Sequence, residues 1–290
     1  MTSEPNPTDA ATPPLPAWIE LDGVVNMRDV GGLPTDDGAT IATGRLIRSD
    51  NLQDLPPGSV GHLVDELGVT DVVDLRTYVE VAKEGEGPIL SRPEVTVHHF
   101  TLYPEESVET GIPAGERELP WHRDPDLGDA ARTVRIEASE DREGSERHDA
   151  YWSEHYIGYL TKRPDNIVAA LRAIAEAPGA VVVHCAAGKD RTGTVIGLAL
   201  KLAGATDEAV VADFEASAQR VPQILARLSG RPAYSTNLDG KTVQQQSPRA
   251  ETMRMMLGAL ARDHGGVEGW LATQGWTAEE TARLRAKLRD

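Results

Sequence analysis

The chain has 290 residues, of which 46 are acidic and 29 basic, for a formal net charge of −17; a surface this negative repels nucleic acid and anionic membranes as general partners. Its one cysteine excludes an internal disulfide and any need for an oxidising compartment. No apolar run approaches the ~20 residues that cross a bilayer and no basic-then-apolar leader is present, so a cytoplasmic location without stable membrane insertion is expected, an unconventional export route leaving no mark in the residues.

Residues 1–17 are rich in Pro, Thr and acid, the composition of a disordered tail. One folded domain is expected over 18–290. Asn26 to Gly32 (N-M-R-D-V-G-G) is a glycine-terminated turn, read as a buttress of the core near a site, with a direct substrate contact from Arg28 as the alternative. Asp36-Asp37-Gly38 reads as a hairpin turn. Arg45 and Arg48 follow, one of them a candidate for pairing with a buried carboxylate. Leu55 to Leu67 reads as a helix closed by Gly68. Thr70 to Leu75 is a strand and Tyr78 to Lys83 starts a short helix. Asp74 and Arg76 stand at the C-terminal end of that strand, where sites gather in parallel α/β sheets. Val95 to Leu102 alternates and reads as a strand; its neighbours His98 and His99 point to opposite faces, which argues against a metal pair.

Residues 104–150 lose periodicity and read as an insertion, helical or irregular, of the kind that forms a lid. Tyr151 to Leu160 concentrates aromatic residues and reads as a helix packed on the core, with one or two rings available to line a pocket. Asp165 to Ala177 is an amphipathic helix opened by Pro164.

Ala180 to Gly204 is the stretch around which the rest is organised. Ala180 to Val183 is a β-branched run suited to a buried strand, and Thr192 to Leu202 is a helix with Gly204 as its stop. The strand–helix–strand order supports parallel pairing. Between strand and helix lies a tight loop holding the single cysteine, Cys185. Backbone N–H groups at such a helix start have no partner inside the helix, and the helix dipole adds positive charge there. Gly188 permits the wrap around a tetrahedral anion. Arg191 can return its planar fork to the same point and Lys189 adds a point charge. Ala186, Ala187 and Gly188 supply the backbone wall. The same field favours a thiolate at Cys185, a ready nucleophile, and Thr192 is placed to hydrogen-bond the sulfur.

Beyond the central helix, Asp207 to Arg220 opens with acids in its first turn. Arg220 to Pro248 is polar and reads as irregular. Ala250 to Asp263 is a helix with one apolar stripe, and Thr277 to Glu280 is a capping box for the last helix.

The string H-C-A-A-G-K-D-R-T-G, from His184 to Gly193, resembles the signature of cysteine-dependent protein tyrosine phosphatases. With Lys-Asp before the arginine it is similar to the atypical bacterial branch, which includes secreted tyrosine and phosphoinositide phosphatases of mycobacteria and Listeria. Asn26 to Gly32 and Gly44 to Asp50 (G-R-L-I-R-S-D) match the same branch in order and spacing. The resemblance implies an α/β fold, a central mostly parallel sheet flanked by helices, and hydrolysis of phosphomonoesters through a phosphocysteine on Cys185. It implies Arg191 as the transition-state clamp, substrates carrying phosphotyrosine, with phosphoserine, phosphothreonine and phosphoinositides open, and no cofactor or metal. For the general acid, Asp190 inside the loop is favoured over Asp74 and Asp124, with Asp126 also in reach of a lid. Asp74 is also a candidate for substrate or phosphate contact, and is otherwise expected to orient an arginine, Arg191 among the candidates. A rhodanese, an arsenate reductase or an inactive phosphate-binding module are the competing readings; the reductase needs further cysteines that the chain lacks.

Overall fold

In the computed structural model, residues 16–105, 112–120 and 142–289 are described. Asp124 and Asp126, and most of the expected insertion, lie outside them. Six strands form one sheet in the order β1-β2-β3-β6-β4-β5. They are β1 (Ala17–Trp18), β2 (Arg28–Asp29), β3 (Leu46–Ser49), β4 (Val69–Asp74), β5 (Thr96–His99) and β6 (Ala180–His184). The β1–β2 and β2–β3 pairs are antiparallel, and the β3–β6, β6–β4 and β4–β5 pairs are parallel. The mostly parallel α/β sheet expected from the sequence is therefore present. β1 begins at Ala17, one residue inside the stretch read as tail.

The sheet is buried on both faces, as parallel sheets require. In β6, Val181 and Val183 join the larger core cluster, while Ala180 and Val182 face a smaller one on the other side. That explains why the strand is uniformly apolar rather than alternating. The register places Ser49, His184, Asp74 and His99 in one row across the C-terminal ends of β3, β6, β4 and β5. Everything that follows these four residues emerges on one edge of the sheet.

Helices pack on both faces. After β3 come α1 (Pro57–Gly61), which continues as a π-helical turn over His62–Glu66, and after β4 α2 (Tyr78–Glu84). Two helices precede β6, α3 (Arg142–Lys162) and α4 (Pro164–Glu176). The helix that leaves the signature loop is α5 (Asp190–Leu202), nearly all of it buried. Gly193 and Gly197 let its neighbours approach: a Cβ at Gly193 would stand 2.7 Å from the Phe214 ring. Six more follow, α6 (Asp207–Ala216), α7 (Val221–Leu228), α8 (Ser235–Leu238), α9 (Val243–Gln246), α10 (Ala250–His264) and α11 (Val267–Thr273), before the last helix, α12 (Ala278–Leu288), which carries the expected capping box between Thr277 and Glu280.

Within the insertion read as 104–150, helical or irregular, α3 runs from Arg142. One expectation is corrected. The stretch Arg220 to Pro248 is not irregular but carries α7, α8 and α9. In α7, Val221, Ile224 and Leu228 are buried on one face, at the three- and four-residue steps of a helix, and Pro222 near its start suits the first turn.

Candidate active site

Cys185 follows β6 directly and is 2 % exposed. The strand end before it and the loop after it are fixed through their carbonyls. Leu75 N–H donates to His184 O at 2.9 Å and Asn51 N–H to Ala186 O at 3.0 Å. Asn26 Nδ2 donates to Ala187 O at 2.9 Å, and Arg48 Nη2 to Gly188 O at 2.8 Å. The peptide plane holds N–H opposite C=O. Carbonyls drawn outward to protein donors thus leave the amides facing the cysteine side. Gly188 shows the result, since its N–H donates to Cys185 Sγ at 3.3 Å. Gly188 has φ +70°, and a Cβ there would stand 2.4 Å from Ser49 O, so only glycine fits.

Arg191 lies at the first turn of α5 and is held by a carboxylate. Glu80 of α2 accepts from Nη1 at 2.6 Å and from Nη2 at 2.9 Å. Leu75 O accepts from Nη1 at 3.3 Å, and the guanidinium lies 5.5 Å from the Tyr103 ring centre. Glu80 is fully buried. Burial alone would push its pKa up, but Arg191 and the Thr77 N–H hold it below the usual carboxylate range. Glu80 also closes the capping box of α2 with Thr77, so one side chain sets both the helix start and the arginine plane. The Thr-x-x-Glu spacing was visible in the sequence; its second task was not.

Asp74 does not orient Arg191. Its two oxygens take Arg76 Nε and Nη2, at 3.0 and 2.6 Å, and the Arg76 N–H. His184 Nε2 stands 3.8 Å from Asp74 Oδ2. Burial opposes the charge on Asp74, yet His184 and Arg76 hold the carboxyl well below the usual range. For His184 burial dominates and pushes its pKa down to about 4.

The upstream strings act as the buttress expected of them. Asp213 of α6 is the buried carboxylate that pairs with Arg48, and it pairs with Arg28 at 2.9 Å as well. Burial and the nearby Arg48 push Arg28 down to about 10. Arg28 is 1 % exposed, so a direct substrate contact from it is replaced by this inner pairing. Sequence reading missed Asp213, which is distant in the chain and marked by no motif.

Asp190 keeps 20 % of its side chain exposed, against 7 % for Lys189. Lys189 Nζ donates to Asp190 Oδ1 at 3.1 Å and lies 5.4 Å from the Trp152 ring centre. Tyr156 O–H donates to the same Oδ1 at 2.7 Å. Burial raises the Asp190 pKa, but Lys189 and the Tyr156 bond outweigh it and leave it below the usual range. The aromatic helix therefore walls the loop. Tyr103, Tyr151, His155, Tyr159 and Lys162 line a cavity of about 480 Å³ that Cys185 does not reach. The expected bond from Thr192 to the sulfur is absent: Thr192 Oγ1 is buried with no hydrogen-bond partner, while the sulfur takes the Gly188 N–H instead.

A cysteine at the carboxyl end of a central parallel strand, cupped by outward-anchored peptides and facing a clamped arginine, defines the class of cysteine-dependent phosphatases. Residues 19–290 match the model of the tyrosine phosphatase family, and the chain belongs to that family. It is 27 % identical over 288 residues to the triple specificity protein phosphatase PtpB of Mycobacterium tuberculosis, covering 93 % of this chain and 98 % of that one. It is also 33 % identical over 129 residues to a tyrosine-protein phosphatase of Nostoc commune, covering 40 % of this chain and 42 % of the relative. The protein is thus a cysteine-dependent phosphatase of the tyrosine phosphatase family, acting on phosphoprotein-type substrates. No helix among the described residues is long and apolar enough to cross a membrane.

Proposed function

We propose that this chain hydrolyses phosphotyrosine first, through a phosphocysteine on Cys185, with Arg191 and the amides of Ala186 to Thr192 binding the phosphoryl oxygens. The Cys185 thiolate forms the S–P bond as the bond from phosphorus to the leaving oxygen breaks. Asp190 gives its proton to that oxygen. Water then forms the new P–O bond, its proton goes to Asp190, and the S–P bond breaks to release phosphate and the thiolate. The transition state is stabilised electrostatically by the arginine and the amides. The observation that carries this reading is the Gly188 N–H on the cysteine sulfur, with the loop carbonyls held outward.

Asp190 is low in pKa in the free protein, where Lys189 faces it. A phosphate dianion placed beside it draws on Lys189 and raises the carboxyl, as a neighbouring like charge does. Proton donation is thus tied to an occupied cup. Asp74 acts here as a positioning residue through Arg76, at the strand end beside His184.

Lys189 supports a second, broader specificity. An extra cation at the loop suits substrates with several phosphates, phosphoinositides included, and the Mycobacterium tuberculosis relative is named for triple specificity. Hydrolysis of p-nitrophenyl phosphate with chelator present, abolished in Cys185→Ser, tests the chemistry. Comparison of a phosphotyrosine peptide with phosphoserine peptides and inositol-lipid headgroups ranks the substrates.

A further inference from the structure

Tyr234 lies between α7 and α8, a stretch whose sequence carries no motif. It is 4 % exposed, and its hydroxyl is buried without a hydrogen-bond partner. Buried hydroxyls nearly always find a partner, so one that lacks it calls for an explanation. Its ring belongs to the small apolar cluster that includes Ala186 of the signature loop, with Ala187 packed against it. The hydroxyl lies within electrostatic reach of Glu80, Arg76 and Arg191. Glu80 is engaged by Arg191 and by the Thr77 N–H and makes no hydrogen bond to the hydroxyl.

The segment that carries Tyr234 is held down by ion pairs. Arg231 Nη1 donates to Glu84 Oε2 at 2.8 Å, and the Ala233 N–H to Glu84 Oε1 at 2.8 Å. Arg227 Nη2 donates to Asn51 O at 2.8 Å, and its guanidinium pairs with Asp50 and Asp54. Asn51 is the residue whose N–H anchors Ala186 O. The tyrosine is thus fixed to the same framework as the loop, and its place does not depend on its own hydroxyl.

Resting on the phosphocysteine reading above, we propose that Tyr234 is a substrate-contacting residue whose O–H donates to a non-bridging oxygen of the phosphoryl group held over Cys185. A phosphoryl group on Arg191 brings acceptors to a hydroxyl that has none. Burial and Glu80 push the phenol well above its ordinary pKa, Arg76 and Arg191 opposing, so it remains a donor throughout the working range.

Tyr234→Phe removes only the unpartnered oxygen. The expected result is a fall of tenfold or more in kcat/KM for p-nitrophenyl phosphate, a similar weakening of inorganic phosphate binding measured by calorimetry, and a melting temperature no lower than that of the native chain. Values of kcat/KM and phosphate affinity both within twofold of the native chain would overturn the contact. So would a loss of activity with phosphate affinity intact, or one accompanied by a lowered melting temperature, which marks a structural role. A native chain that binds phosphate but does not turn over p-nitrophenyl phosphate would instead sink the hydrolytic reading, and the calorimetric arm would still decide Tyr234.

Discussion

Glu80 grips Arg191 with both carboxylate oxygens, at 2.6 and 2.9 Å, from a helix that follows a different strand. On the proposed mechanism, the arginine assigned to the transition state is therefore pre-oriented before substrate arrives. Five N–H donors fan out in the guanidinium plane, and fixing two of them fixes the direction of the rest. Glu80→Gln keeps the shape but removes the charge. Breaking one side of a buried pair costs about 3–5 kcal/mol. The expected outcome is a fall in kcat of around a hundredfold on p-nitrophenyl phosphate, with a destabilisation of a few kcal/mol in urea. Equal activity in the variant would show that the loop aligns Arg191 unaided.

Asp213 offers a test at a distance from the chemistry. It is the shared acceptor for Arg28 and Arg48, and Arg48 in turn holds Gly188 O. Asp213→Asn leaves two buried guanidiniums short of a counter-charge, for a loss of about 3 kcal/mol or more. Because Gly188 O loses its anchor, kcat should fall while the protein is still folded, below its unfolding midpoint. Activity per folded molecule, measured alongside denaturant titration, separates the two effects. An unchanged value per folded molecule would confine Asp213 to stability.

The parts of this architecture that were legible in the sequence are local. Ala180 to Val183 is a buried β-branched run, and Gly188, Arg191 and Gly204 stand where a loop, a helix start and a helix stop require them. Those features depend on neighbours a few residues away. Glu80 is 111 residues from Arg191, Asp213 is 185 and 165 residues from Arg28 and Arg48, and nothing in a single chain's local pattern marks a long-range carboxylate. Helix α7 was hidden for a different reason: its apolar stripe is only three residues, Val221, Ile224 and Leu228, inside a polar segment.

Asp190 and Lys189 are neighbours in sequence and partners in space, with Nζ 2.9 Å from Oδ2. Lys189 is the leading influence lowering the Asp190 carboxyl against its burial. As the proposed general acid, Asp190 works protonated, so the basic limb of the kcat/KM profile follows its pKa. Lys189→Met removes the lowering charge, and that limb should move to higher pH. Asp190→Asn should lower kcat by ~10²–10⁴ for a phenyl phosphate, whose leaving group needs the proton, and by much less for p-nitrophenyl phosphate. If both leaving groups respond alike, the acid is elsewhere.

His184 links the site to acid stability. Its imidazole is buried beside Asp74, Arg76 and His99, with Nδ1 3.1 Å from Cys185 O. Burial is the main cause that lowers its pKa from 6.5 to about 4. Between these values the unfolded chain binds a proton that the folded chain refuses. The stability contributed by a neutral His184 is therefore complete above about pH 6.5 and is lost as pH falls through about 4, an effect of roughly 3 kcal/mol. Asp74, depressed rather than raised, adds its own loss only below the ordinary carboxylate range near ~3.9. Unfolding free energies from urea titrations should thus fall between pH 6.5 and 4 in the native chain. His184→Gln, which cannot take up that proton, should show a flatter dependence over the same interval. A slope unchanged by the substitution would assign the acid loss to other groups.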